Sequence, residues 1–168
     1  MKTASIAVGS ILLLLWSAAS SAQQHQKCTG PQLGTWRLQS YTTEDLETGG
    51  KIDLFGLHPT GYLTYGPDCR MNAILIKDGR KLPAALVATD AEKIELHSGF
   101  IAYAGAYSID GDKISHHVDA SWNQAWTGTT QLRQFKLDGH SLVIRTMPAK
   151  NALTGRQSSS VLIWTKVE

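Results

Sequence analysis

The sequence predicts an all-β protein, an eight-stranded antiparallel up-and-down barrel with one short helix. Three observations carry that expectation. Short β-rich runs recur along the chain, each bounded by Gly, Pro, Asn or Asp. Asp110-Gly111 and Asp138-Gly139 stand between alternating runs, where a two-residue hairpin turn needs positive φ. The runs follow one another closely enough to pair in sequence, and eight strands closed on themselves leave no exposed edge. An open sandwich has the same strand count with other connections, and alternation alone does not separate the two.

The elements follow in order. Met1-Lys2 supplies a positive charge, residues 6–16 are an almost unbroken apolar run, and residues 17–22 are small. This is the order of a secretory signal peptide, with cleavage expected after Ala22. The apolar run is shorter than the ~20 residues that span a bilayer, so no stable membrane anchor is expected. Residues 23–168 then form a single domain, placed in the periplasm or secreted. Strands are expected at 35–41, 61–65, 70–77, 101–109, 113–122, 129–137, 141–146 and 160–166. Gly66-Pro67-Asp68 turns the second strand into the third. Thr89 stands three residues before Glu92 as in a capping box, which opens a helix over 90–98, and Gly99 sits where a helix ends. Residues 42–59 and 78–88 read as loops.

Composition excludes several functions. A formal net charge of +2 with no run of like charge gives no footprint for nucleic acid. There is no Gly-x-Ser-x-Gly elbow, no dinucleotide or phosphate loop and no His-Glu-x-x-His, so no cofactor is expected. His116-His117 would point to opposite faces of a strand and cannot chelate one ion together, so no metal site is expected either. Cys28 and Cys69 form an even pair in an exported chain, and a bridge between them would contribute a few kcal/mol.

Two neighbouring strands carry the candidate site. In the fifth, Ile114, His116, Val118, Ala120 and Trp122 share one face, and Ser115, His117, Asp119 and Ser121 the other. In the sixth, Thr129, Gln131, Arg133, Phe135 and Leu137 share a face. Pairing these strands can gather His117, Asp119, Gln131 and Arg133, with Asp119 and Arg133 as an ion pair. A polar face most often meets water. Turned inward, the same set would line a cavity, because buried charges need partners. Tyr103 and Tyr107, separated by Gly105, share a face of the fourth strand and would add walls with polar tips.

Several stretches resemble one family in order. They are Gly34-Thr35-Trp36-Arg37-Leu38, Pro59-Thr60-Gly61-Tyr62-Leu63-Thr64-Tyr65, and Gly99-Phe100-Ile101-Ala102-Tyr103-Ala104-Gly105-Ala106-Tyr107. With them come His116-His117-Val118-Asp119-Ala120-Ser121-Trp122-Asn123, Trp126-Thr127-Gly128 and Gln131-Leu132-Arg133. Together they resemble the lipocalin-like domain family of small bacterial and fungal proteins, over residues 33–166. The resemblance implies a calycin-type barrel with a central cavity and a Trp closing its base. It also puts Tyr65, Tyr103, Tyr107, His117, Asp119, Gln131 and Arg133 at the family's motif positions. Asp119 stands where the family commonly has Glu, Ala106 where Arg commonly follows Ala-Gly, and the signal peptide is a further departure.

Two functions compete on these grounds. One is an exported protein binding a small apolar or amphipathic molecule, with Tyr65, Tyr103, Tyr107 and Gln131 as ligand contacts. The other is a cofactor-independent isomerase, cyclase or lyase, with His117 as acid or base, Asp119 orienting it and Arg133 stabilising an oxyanion. A third reading makes Trp122 and Trp126 the anchor for a protein partner.

Overall fold

A computed structural model describes residues 27–167. The expected signal peptide lies outside these residues. Among them no helix is long and apolar enough to cross a membrane.

The described chain forms β1 (Gly34–Asp45), β2 (Lys51–Asp53), β3 (Thr60–Tyr65), β4 (Arg70–Ile76), α1 (Asp90–Ser98), β5 (Phe100–Asp110), β6 (Lys113–Ser121), β7 (Thr130–Asp138), β8 (Ser141–Thr146), β9 (Ala149–Lys150) and β10 (Gln157–Lys166). A short 3₁₀ turn, Gln124–Trp126, lies between β6 and β7. Strand order is β2-β1-β3-β4-β5-β6-β7-β8-β10-β9, and β1 also pairs with β10. That pairing closes an eight-stranded antiparallel barrel, as the alternation and the resemblance predict, and excludes the open sandwich. β2 and β9 are short additions at one end.

Local chemistry places each turn. Gly111 and Gly139 take φ of 59° and 57° in the two Asp-Gly hairpins, a region that a Cβ disfavours. Thr89 and Glu92 form the reciprocal capping box, so α1 starts where expected. Its end differs: Gly99 has φ −96°, not the left-handed cap conformation, because it already leads into β5. No residue of α1 is buried, so the helix lies on the outside of the barrel. Cys28 and Cys69 are bridged, tying the segment before β1 to the β3–β4 hairpin.

Two β-bulges decide which residues face inward. Pairing of β1 with β10 slips between Leu38 and Ser40, so the inward parity changes from Trp36 and Leu38 to Tyr41 and Thr43. Pairing of β5 with β6 slips at Ala104/Gly105, leaving Asp119 as the extra residue. A Cβ on Gly105 would overlap the His117 carbonyl, so this close approach requires glycine. Beyond the bulge the expected β6 face breaks: Ala120 is exposed, and Ser121 sits opposite Tyr103.

The interior is graded along the barrel. One end is sealed by Trp36, fully buried, whose indole donates to the Gln32 carbonyl at 2.8 Å. Tyr65, Met71, Tyr107 and Ile114 fill the space above it. The other end carries inward polar groups, among them Thr43, Arg133, Ser158 and Ser160. The serine-rich start of β10 is a strand although only residues 160–166 read as one, because Ser158 and Ser160 point inward and pair with β1.

Candidate functional site

The inner polar centre is His116. It sits on β6 between Ile114 and Val118, and all three are buried. Tyr65 from β3 shares a 2.8 Å hydrogen bond with Nε2, and Tyr103 from β5 a 3.0 Å bond with Nδ1. A neutral imidazole has one donor and one acceptor nitrogen, so one hydroxyl accepts from the ring and the other donates to it. Burial pushes the His116 pKa down to about 3, and the charges of Arg133 and His117 add to that. Burial raises the Tyr103 hydroxyl and raises Tyr65 well above its ordinary value. At neutral pH the Tyr65–His116–Tyr103 chain is therefore uncharged. Tyr107 stands behind it, its ring 4.8 Å from that of Tyr65 and its hydroxyl donating to the Gly66 carbonyl at 3.0 Å.

Arg133 enters from β7. It is 9% exposed and donates to the Leu132 carbonyl at 3.0 Å and the Gln131 side-chain oxygen at 3.4 Å. Gln131 in turn donates to Thr129 at 2.9 Å. The guanidinium is close enough to Tyr41, Tyr103 and His116 to act on the ionisation of each.

These groups border a cavity in two adjoining parts that share five lining residues. The inner part, about 50 Å³, is bounded by Leu63, Ala73, Tyr103, His116, Ile144 and Trp164. The outer part, about 100 Å³, reaches Gln131, Ser160 and the segment Met147–Leu153 at the open end. Tyr41, Ile101, Trp126, Arg133 and Thr146 border both. Drug-sized sites occupy roughly 300–1,000 Å³, whereas an apolar cavity of about 150 Å³ takes a benzene ring. The enclosed space therefore matches one small ring or a short chain, not a long lipid.

The expected site residues divide between two sides of the sheet. Tyr103, Gln131 and Arg133 line the cavity. Tyr65 and Tyr107 lie beneath it, in the packed end. His117 is on the outer surface, bonded to Thr130 at 2.9 Å and Ser108 at 3.3 Å. Asp119 is exposed on the bulge and pairs with Arg70, not Arg133. The reason is register. Residues directly opposite share a face, and the opposing pairs are His116–Gln131 and Ile114–Arg133. The gathering of His117 and Asp119 with Gln131 and Arg133 is thus corrected by one residue on β6. The sequence held a signal for His116, since it shares parity with Ile114 and Val118. It held none for Tyr41, which turns inward only through the β1 bulge. Trp122 and Trp126 pack edge to face at 4.9 Å and border the cavity, and Trp126 also meets Tyr103 at 5.5 Å.

No curated protein matches the chain. Among solved structures, it is similar to an uncharacterized protein from Bacteroides eggerthii DSM 20697, with 14% identity and a TM-score of 0.40, over 81% of this chain and 99% of that one. The family model for the lipocalin-like domain matches residues 33–167, nearly the whole barrel, and the chain belongs to that family.

Proposed function

We propose that the protein is an exported carrier or sensor that holds one small amphipathic molecule in the open end of its barrel. The observation that carries this reading is a cavity with apolar walls and one polar cluster, formed by Tyr103, His116, Gln131 and Arg133. Apolar walls supply affinity, and a few placed polar groups fix orientation. Tyr65 acts from beneath by holding His116, and Tyr107 by packing on the Tyr65 ring. The Cys28–Cys69 bridge supports a location outside the cytoplasm, secreted or periplasmic.

An acid/base enzyme in the same cavity is the second reading. The neutral His116 weighs against it, because a base with a pKa near 3 is weak at neutral pH. His117 and Asp119 have no route to the cavity from the outer surface.

The test is native mass spectrometry on the protein produced by export from the full chain, followed by identification of anything released on denaturation. A single small molecule recovered unchanged supports the binding reading. Trp126 borders both cavity parts, so indole fluorescence then reports titration with that molecule. A molecule recovered chemically converted, with turnover lost in a cavity variant, would favour the enzyme.

A further inference from the structure

The buried cation in this cavity has no counter-ion among the described residues. Arg133 is 9% exposed, and a guanidinium does not give up its proton in a protein. The ion pairs among the described residues use Lys51, Arg70, Lys93 and Arg156, never Arg133. Among the described residues no Asp or Glu borders either part of the cavity, and Lys150 adds a second positive charge near the mouth. The groups facing Arg133 are neutral: Tyr41, Tyr103, His116 and Gln131. Bonds to the Leu132 carbonyl and the Gln131 side chain, with the Tyr103 hydroxyl as a third partner, engage only part of a five-donor group, so donors are left over. The indole N–H groups of Trp122 and Trp164, which also border the cavity, have no acceptor among the described residues. The space holds positive charge and unpartnered donors, and its acceptors among the described residues are neutral hydroxyl and amide oxygens. Burying an unpaired charge is costly, and an anion in contact with it removes that cost.

We propose that the ligand of this cavity is an organic anion, and that Arg133 grips its carboxylate or equivalent planar oxyanion. The inference rests on the barrel being a small-molecule binding protein and adds the chemical class of the cargo. The planar guanidinium fork matches a carboxylate with two parallel N–H···O bonds. The apolar part of the ligand then lies against Ile101, Trp126 and Ile144, and the volume limits it to about one ring or a short chain.

The test compares acids with neutral amides of the same shape. Benzoate against benzamide, and hexanoate against hexanamide, are titrated into the exported protein, with indole fluorescence and calorimetry as readouts. Each acid should bind at least tenfold more tightly than its amide. Arg133→Met should abolish that preference by weakening acid binding far more than amide binding, and Arg133→Lys should keep part of it. Equal or tighter binding of the amides overturns the anion assignment and leaves the binding function standing. An acid preference that survives in Arg133→Met also overturns it, since another group must then hold the anion. If no probe binds at all, the binding function itself fails and the anion assignment with it. The wild-type comparison of acid with amide decides even if Arg133→Met does not fold.

Discussion

Acid should destabilise this protein through its buried histidine. His116 titrates at about 3 when folded against an ordinary 6.5, so the unfolded chain binds a proton that the folded chain refuses. Between those values the unfolded state carries more protons, and stability falls as pH falls. The slope reaches about 1.4 kcal/mol per pH unit between the two values, which amounts to about 3 kcal/mol between pH 6.5 and 4 and about 4 kcal/mol by pH 3. A domain of this size has roughly 5–15 kcal/mol in all, so the loss is a large share. The causes, in order, are burial, the Arg133 charge and the His117 charge. Tyr65 and Tyr103, the hydroxyls on the ring, are held neutral by burial and supply no compensating anion. Urea unfolding at a series of pH values measures the effect. His116→Gln should be less stable at pH 7, because two buried hydroxyls lose their partners, but its stability should decline less steeply below pH 6.5. Asp45 and Glu92, whose carboxyl groups are held below their ordinary values in the folded state, act equally in both proteins and cancel in the difference. Parallel pH profiles for wild type and variant would refute the reasoning, since His116 would then have the same pKa folded and unfolded.

Three further outcomes follow from the same geometry. Replacing both cysteines by serine opens the Cys28–Cys69 loop of separation 41 and should cost about 4 kcal/mol on the chain-entropy account, read as a lower urea midpoint. Gly105→Ala forces a Cβ into the β6 backbone at His117 and should destabilise by more than ~2 kcal/mol in thermal melts, whereas Gly79→Ala, in open space, should cost about 1 kcal/mol or less from its φ of 67°. His117→Ala and Asp119→Asn sit on the outer surface, so ligand affinity should stay within about twofold in calorimetry, while Tyr103→Ala should weaken it tenfold or more.

The strands and helix were legible because their signals are local. Asp-Gly turns, the Thr89–Glu92 capping box and alternation over five or more residues each act within a few neighbours, and the structure keeps them except where a bulge breaks the alternation. The ends of strands were less legible. β1 runs on to Asp45, and β10 begins at Gln157, where the serines form inward hydrogen bonds such as Thr43–Ser160 at 2.9 Å instead of a turn.

The site was half legible. Gln131, Arg133 and Tyr103 have the parity that the sequence assigns, and they do line the cavity. His116 and His117 are chemically identical neighbours, and only the pairing of β6 with β7 tells which one faces inward. Sequence by itself determined the strand count, the turns, the helix start and the family, because those follow from short-range patterns. Tertiary structure alone decided closure through β1 and β10, the two bulges that turn Tyr41 inward and Asp119 outward, and the isolation of Arg133 from the described carboxylates. These depend on contacts between residues far apart in the chain, whose register is set by the packing of the whole barrel.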